Sequence, residues 1–330
     1  MANNPHDVLF RWAFADLQRT AGLLRAVLPP GLVAMVQWDA GEIVPIELLD
    51  KDLFEKRTDL IRRYPLYGRR RRLYIIFEHQ SSCDRLMGLR FLDYARLLWI
   101  KWCADNPRWR FLPPVTAVVV SHDPGGWTAP TNLLDLHETD SHLDSQLGAN
   151  RPDMGFIVED LQRREDAVIT GWELDAIGKL TLLHLKHIRR CPDVGEQLRV
   201  WKPWFEQAEP WEEVLPRFVC YIMSNRKVKD EELRQVFAEM LGRRAGDIVM
   251  TEAERLMAEG EKRGRREGRQ EGSLALFVRF CRRRLGRDIT NAERAVLTTR
   301  WVRIDQDQVD ALFDLSSEQL EAWLTDPQAK

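Results

Sequence analysis

The chain has 330 residues, of which 44% are hydrophobic and 30% charged, and its formal net charge is −2. This composition is typical of a globular protein large enough for two domains. The near-zero net charge excludes a global field that attracts nucleic acid, so any positive charge that binds DNA must be local.

The cellular compartment is predicted from the membrane-spanning and targeting segments that the sequence lacks. No run of about 18 apolar residues occurs, so we expect no membrane span. The first seven residues lack the basic and apolar regions of a signal peptide. Five cysteines without C-x-x-C spacing indicate a reducing compartment and argue against structural zinc. We therefore expect a cytoplasmic protein without membrane association.

Strands are predicted only in the first half of the chain. From about residue 166 the apolar spacing is helical, over 171–190, 195–208, 211–224 and 230–242. Strands interleaved with helices, followed by helices alone, indicate an α/β core with an α-helical C-terminal extension. Before residue 166, the pattern predicts helices over 7–28 and 85–104, strands over 42–49, 57–66, 71–80, 115–120 and 154–158, and an irregular polar segment over 128–151.

The C-terminal third contains a glycine ladder. Gly260, Gly264, Gly268 and Gly272 recur every fourth residue within the highly charged segment 246–272. We interpret this segment as a charged helical spacer, with a self-associating helical seam as the alternative. Residues 273–330 carry two or three short amphipathic helices. The predicted domains are a core over 1–165, a helical extension over 166–245, a linker over 246–272 and a small helical domain over 273–330.

An acid at the end of a buried strand is the first candidate for chemistry. The apolar run Leu73–Phe77 predicts a strand buried on both faces, and it leads into Glu78 and Gln80. A carboxylate that leaves a core in this way must be paired, solvated or bound to a cation. Glu78 and Gln80 share one face of the strand, because side chains alternate.

The hairpin supplies a second acid. If the chain turns at Gly68-Arg69, the numbers of paired residues sum to 137 and Asp59 lies directly opposite Glu78. A turn at Tyr67-Gly68 makes the sum 135, which moves Asp59 two residues along on the same face. Directly opposed side chains are about 5 Å apart at Cβ. Two carboxylates that close repel each other unless a hard cation lies between them, so this pattern predicts a divalent-metal site.

The same residues indicate phosphodiester hydrolysis. Asp59 and Glu78 would hold Mg²⁺, which takes one or two protein carboxylates and keeps several waters. Gln80 can orient a water and donate hydrogen bonds, although an amide is a poor base. Positive charge for a DNA substrate is predicted beside the acid pair in sequence, at Arg62 and Arg63 and in the run Arg69, Arg70, Arg71 and Arg72. Arg90 on the next helix could contact a phosphate or pair with Asp93.

Several segments resemble a known family. Asp59 followed by Glu78-His79-Gln80 resembles the PD-(D/E)XK nuclease signature in its E-x-Q form. The bacterial recombination-promoting nuclease (Rpn) family, also described as transposase-like, is the narrower resemblance and covers roughly residues 5–160. Its motifs resemble Pro5-His6-Asp7-Val8-Leu9-Phe10-Arg11, Leu28-Pro29, Thr58-Asp59-Leu60, Phe77-Glu78-His79-Gln80-Ser81-Ser82 and Met87-x-x-Arg90-x-x-x-Tyr94.

The resemblance implies a restriction-endonuclease-like core, a mixed sheet flanked by helices, and Mg²⁺-dependent DNA cleavage with Mn²⁺ as a substitute and no small-molecule cofactor. It assigns Asp59 and Glu78 to the metal, places Gln80 where a lysine is usual, adds the backbone carbonyl of His79 as a ligand, and gives Asp7 a supporting position. Arg11 replaces a usual lysine, and Ser121-His122-Asp123 replaces Tyr-His-Gly. These departures put catalytic efficiency in doubt more than the fold.

Two hypotheses follow from the sequence. The first is a DNA endonuclease linked to recombination or mobile elements, which as a double-strand cutter would act as a homo-oligomer. The second is a catalytically weak descendant that binds DNA or partner subunits. We further expect that His79, on the face opposite Glu78, packs or forms a hydrogen bond, that Asp160 caps a helix, and that His184 and His187 lie at the surface.

Overall fold

A mixed sheet forms the centre of the chain. The computed structural model describes residues 4–45, 60–68, 71–108, 110–138, 140–148, 150–208, 210–301, 304 and 306–325. Within these ranges the strands lie side by side in chain order. The first three are antiparallel, and the third, fourth and fifth run parallel. The strands are β1 (Glu42–Ile43), β2 (Leu60–Pro65), β3 (Arg72–Gln80), β4 (Val115–Ser121) and β5 (Ile157–Asp160).

Helices precede, separate and follow these strands, which confirms the predicted α/β class with a helical C-terminal region. No helix in the described ranges has the length and apolar character needed to cross a bilayer. The helices are α1 (Pro5–Phe14), α2 (Leu17–Val27), α3 (Pro30–Val33), α4 (Met87–Asp105), α5 (Ser141–Leu147), α6 (Asp166–Gly171), α7 (Ala176–His187), α8 (Val194–Val200), α9 (Lys202–Gln207), α10 (Trp211–Asn225), α11 (Asp230–Leu241), α12 (Arg243–Leu285), α13 (Asn291–Trp301), α14 (Gln306–Phe313) and α15 (Ser317–Thr325).

The β2–β3 hairpin has one of the two predicted registers. Leu60 pairs with Phe77 and Pro65 pairs with Arg72, so the numbers of paired residues sum to 137. Gly68 lies in the turn with φ +63°, a conformation that glycine adopts without steric cost. The register with a sum of 137 is therefore confirmed over these residues, and the alternative of 135 is wrong.

The two faces of β3 belong to different cores. Ile75 and Phe77 pack in the larger core together with residues of α1, α2 and α7. Ile76 packs in a smaller core with Phe91 and Tyr94 of α4. Since side chains alternate along a strand, Glu78 and Gln80 lie on the α4 side of the sheet.

The single helix predicted over 7–28 is wrong in one respect, because two helices cover this segment. The Asp16 carboxylate accepts a hydrogen bond from the Arg19 N–H at 2.8 Å and starts α2. Buried Arg62 of β2 donates to the carbonyl oxygens of Phe14 (2.8 Å) and Ala15 (3.2 Å) at the end of α1. The apolar spacing continues across the break, so periodicity does not reveal it.

Residues 128–151 are also more regular than predicted. A 3₁₀ turn covers Leu133–Leu136, and α5 follows. The Asn132 side chain accepts from the Leu134 N–H, and the Asp140 side chain accepts from the Leu143 N–H, both within 2.8 Å. Capping by polar side chains starts these short helices, which apolar periodicity does not detect.

The chain forms two compact units, divided between Ala253 and Glu254. In the second unit, residues of α12 to α15 build a separate apolar core around Phe277, Trp301 and Leu320. Ser316 and Gln319 exchange side-chain-to-backbone hydrogen bonds of 3.0 and 3.2 Å, which is the capping box that starts α15. The four ladder glycines lie within α12, and the predicted domain boundaries stay predictions.

Candidate functional site

Glu78 is a fully buried carboxylate near the carboxyl end of β3. The strand is buried continuously from Leu73 to His79, and the Glu78 side chain is 1% exposed. Arg90 Nη2 donates to Glu78 Oε2 at 2.9 Å, and Gln80 Nε2 donates to the same oxygen at 3.0 Å. A carboxylate in this position needs such partners, because an unpaired buried charge is strongly destabilising.

Arg90 connects Glu78 to a second acid. Its Nη1 atom donates to Asp84 Oδ2 at 2.9 Å, and its Nη2 atom lies 3.3 Å from the Tyr94 hydroxyl. Burial opposes the charge on Arg90, but the carboxylates of Glu78 and Asp84 and the Tyr94 hydroxyl outweigh it and raise the pKa of the guanidinium. In this structure, therefore, the cation beside Glu78 is a guanidinium. The Asp93 carboxylate accepts from Arg96.

Gln80 lies at the last position of β3, opposite Ser121 of β4. Its carbonyl accepts from the His122 N–H at 3.0 Å, on the β4 side of the strand. Because backbone carbonyls alternate between the two edges of a strand, the His79 carbonyl is directed toward the β2 side. That is the side on which the sequence predicts Asp59.

Asp59 lies outside the described residues. The last described pair of the hairpin is Leu60 with Phe77, one position before Glu78. The described part of the chain contains no group of three His, Cys, Asp or Glu side chains placed to hold a metal ion. The metal set predicted from Asp59, Glu78 and the His79 carbonyl therefore stays a prediction.

His79 packs on the face opposite Glu78, as expected. Its ring stacks on Phe10 of α1 with a centroid separation of 4.9 Å, and its Nδ1 lies 3.1 Å from Asp7 Oδ1. Asp7 therefore contacts the site through the His79 ring and lies across the sheet from the Glu78 carboxylate. Arg11, one turn further along α1, is half-buried.

Two further histidines complete a cluster that was not predicted. The His122 ring stacks on His79 at 4.8 Å, and His6 lies 4.7 Å from His122. His6 Nδ1 forms a 2.9 Å hydrogen bond with the Tyr221 hydroxyl. Burial, followed by the neighbouring His79 and Arg189, lowers the pKa of His6 to about 4. Burial, followed by the neighbouring His79 and His6, holds the pKa of His122 far below its usual value.

The histidine cluster had a signal in the sequence. Two of the rings come from segments that carry the family resemblance, Pro5-His6-Asp7 and Glu78-His79-Gln80, and the third comes from Ser121-His122-Asp123, which keeps the histidine of the family's Tyr-His-Gly. Only the fold shows that the three segments meet, because α1, β3 and the residue after β4 are distant in the chain.

Of the arginine run predicted beside the acid pair, Arg72 lies far from Glu78. Arg72 begins β3 and Glu78 lies six residues along the same strand, which separates them by about 20 Å. Arg72 and Arg63 both form ion pairs with Glu42 of β1. Arg62 is buried at the end of α1. Arg71 lies over the exposed Phe111 ring at 4.8 Å, and Arg69 and Arg70 lie outside the described residues.

Other polar residues have structural contacts. Asp160 accepts from the backbone N–H groups of Trp127 (2.7 Å) and Gln162 (3.0 Å), so it caps a turn. The surface position expected for His184 is wrong, because its ring is fully buried and its Nδ1 lies 2.7 Å from the Leu180 carbonyl. Helix α7 is covered by other helices, which its sequence spacing does not reveal.

Comparison with known proteins gives the relationship of the chain. The family described as "Putative transposase, YhgA-like" matches residues 4–215. The chain is similar to "Inactive recombination-promoting nuclease-like protein RpnE" of Escherichia coli (strain K12), with 23% identity over 295 residues that cover 88% of this chain and 94% of that protein. No solved structure matches the chain. The resemblance to the Rpn and transposase-like family is thereby confirmed, and the chain belongs to the YhgA-like transposase family.

Proposed function

We propose that this chain is a Mg²⁺-dependent DNA endonuclease of the recombination-promoting type, which hydrolyses phosphodiester bonds at the carboxyl end of β3. The observation that carries the proposal is the hairpin register. The paired residues follow the predicted register up to Leu60 and Phe77. The proposal requires this register to continue by one more pair, so that Asp59 faces the buried Glu78.

The available ligands suit a hard cation. Glu78 offers a carboxylate, the His79 carbonyl is directed toward the same side as the required Asp59, and Mg²⁺ prefers oxygen ligands of this kind. When bound, the ion would polarise the phosphate and lower the pKa of a water molecule. Asp59 is needed to complete the set, since the described residues do not form one by themselves.

The residues of the chain have distinct proposed roles. Glu78 and Asp59 hold the cation, and the Gln80 amide orients water beside them. Arg90 pairs with Glu78 at 2.9 Å. A divalent cation would share the Glu78 carboxylate with Arg90, since a carboxylate offers several acceptor sites.

A nicking assay tests the proposal. Purified full-length protein with Mg²⁺ or Mn²⁺ should nick supercoiled plasmid, and the isosteric variants Asp59→Asn and Glu78→Gln should each abolish nicking without lowering the melting temperature by more than a few degrees. Asp93→Asn, on the exposed face of α4, is the matched control and should retain activity. Nicking that survives either active-site substitution in a folded protein would rule out this site.

A metal titration separates binding from turnover. Calorimetry should detect Mg²⁺ or Mn²⁺ binding to the wild-type protein and a loss of at least tenfold in affinity for Glu78→Gln. Sedimentation in the presence of a duplex tests the homo-oligomer, which double-strand cleavage by one site per chain requires.

A second candidate function has its own support. Glu78 is already paired with an internal cation, and the similar Escherichia coli protein is named inactive. On this alternative the chain is a nuclease-fold protein that binds DNA or partner subunits without cleavage. Salt-sensitive DNA binding in EDTA, with no nicking under any divalent ion and no calorimetric metal binding, would favour it over the endonuclease.

A further inference from the structure

Two arginines from the helical region contact the loops at the carboxyl edge of the parallel strands, and a third arginine contacts one of them. Arg189 Nη1 donates to the carbonyl oxygen of Ser81 at 3.3 Å, directly after the end of β3. Arg190 Nη1 donates to the carbonyl oxygen of Pro124 at 2.7 Å, in the turn after β4. Arg226, after α10, donates to the Arg189 carbonyl at 3.3 Å. We call Arg189, Arg190 and Arg226 the rim arginines.

The described hydrogen bonds of the rim arginines do not pair them with an opposite charge. Each of these three hydrogen bonds is accepted by a neutral backbone carbonyl, and in the described part of the chain none of the three arginines forms an ion pair with a carboxylate. Neighbouring cations differ, since Arg164 pairs with Glu159 and Lys186 pairs with Asp166. A guanidinium carries five N–H donors, so one bond to a carbonyl leaves donors for a further acceptor.

The rim arginines are associated with the same edge of the sheet as Glu78, the edge at which a ligand is expected to bind. Ligands of open sheets with parallel strands bind at the carboxyl edge, and Gln80 and Ser121 end their strands at this edge. The charge of Arg189 also contributes to the lowered pKa values of His6 and His122, so Arg189 approaches this edge on the side of the histidine cluster, across the sheet from the Glu78 side chain. Arg189 and Arg190 are exposed, so a ligand in solvent can reach them.

Two acids lie in the same loops, and one of them, Asp84, pairs with Arg90. The other is Asp123. Asp123 Oδ2 accepts from the Cys83 N–H at 2.7 Å, and its Oδ1 accepts from the Gly125 N–H at 2.7 Å. Both carboxylate oxygens of Asp123 therefore accept hydrogen bonds from the backbone of the loops. Asp193, three residues after Arg190 in the sequence, accepts from the Glu196 N–H and starts α8. Neither carboxylate forms an ion pair with a rim arginine in the described residues.

We propose that the rim arginines form the phosphate-contacting surface of a DNA-binding site, and that they hold the strand whose phosphodiester lies at Glu78. The proposal rests on the proposed function for the position of the cleaved bond. It replaces the predicted role of Arg71 and Arg72 at the opposite end of β3, where Arg72 is neutralised by Glu42. Contacts to phosphates predict binding that depends little on base sequence and strongly on salt.

The test is fluorescence anisotropy of the full-length protein with a labelled 20-base-pair duplex in EDTA, so that cleavage does not interfere. Arg189→Gln and Arg190→Gln should each weaken binding about threefold to tenfold and should each lower the slope of log K against log salt by about one. Arg189→Lys should stay within about twofold of wild type, since lysine keeps the charge. Arg199→Gln, an exposed arginine paired with Glu239, is the control and should bind as wild type.

The possible outcomes separate this inference from the proposed function. Loss of duplex binding in the rim variants without any nicking by the wild-type protein would support the surface and refute the endonuclease. Nicking that requires Asp59 and Glu78 while the rim variants bind duplex with unchanged affinity and salt slope would refute the surface. Tighter binding to transfer RNA or to anionic phosphatidylserine vesicles than to the duplex would refute DNA as the ligand. Thermal melts within about two degrees of wild type establish that each variant is folded.

Discussion

The ion pair between Arg90 and Glu78 gives the strongest quantitative prediction. Glu78 is 1% exposed and Arg90 is 31% exposed, so Arg90→Gln leaves a buried carboxylate with Gln80 as its remaining donor among the contacts described above. Removing one partner of a buried ion pair costs about 3 to 5 kcal/mol. We expect about 3 kcal/mol here, because Arg90 is partly exposed and water can replace part of its contact.

Denaturant unfolding at pH 7 and thermal melts measure this cost. A loss of about 3 kcal/mol corresponds to a fall of roughly 6 to 12 °C in the melting temperature for a unit of this size. Arg96→Gln removes an exposed pair on the same helix, in which the side chains are 55% and 36% exposed. This control should cost less than about 0.5 kcal/mol.

A double variant separates the charge effect from simple loss of packing. In Arg90→Gln with Glu78→Gln, both charges are absent, so the penalty of an unpaired carboxylate disappears. We expect this protein to recover at least about 1.5 kcal/mol relative to Arg90→Gln alone, as a coupling energy of contacting residues. A cost below about 1 kcal/mol for Arg90→Gln, or no recovery in the double variant, would refute the view that Glu78 depends on Arg90.

Three further predictions test the histidine cluster, the helix break and the glycine ladder. Burial lowers the pKa of His6 to about 4, so the folded state binds fewer protons than the unfolded state between about pH 6.5 and 4. The free energy of unfolding should therefore fall as the pH falls through this window, by at most about 3 kcal/mol. Urea titrations should show a weaker pH dependence of this free energy for His6→Gln than for wild type, and an equal pH dependence of the two proteins would refute the prediction. Arg62→Gln should cost about 2 kcal/mol, because it leaves buried carbonyls at the end of α1 without their charged donor, and an unchanged urea midpoint would contradict that role. Gly264→Ala should stabilise α12 by about 0.5 to 1 kcal/mol, since its added Cβ meets nothing within 4 Å. Gly22→Ala should instead destabilise the first unit, because its Cβ would lie 2.5 Å from the backbone oxygen of Glu173. Equal shifts of the melting temperature in the two variants would refute this contrast.

The elements that depend on local interactions could be read from the residues. The register of the hairpin follows from the position of its turn, because one turn determines every pair that follows it. The buried strand ending in Glu78 was recognisable, since a run of apolar residues before a carboxylate has few other interpretations.

The α/β class, the family and the acid near the end of β3 follow from the residues alone. The cation that faces this acid does not, because Arg90 is brought to Glu78 by the packing of α4 on the sheet. The sequence also predicted positive charge beside the acid pair, whereas an extended strand separates Arg72 from Glu78. The histidine cluster and the rim arginines arise from segments that lie far apart in the chain. Ion pairs and hydrogen bonds form between groups that are neighbours in space, so the packing of these segments determines which groups are neutralised and which can contact a ligand.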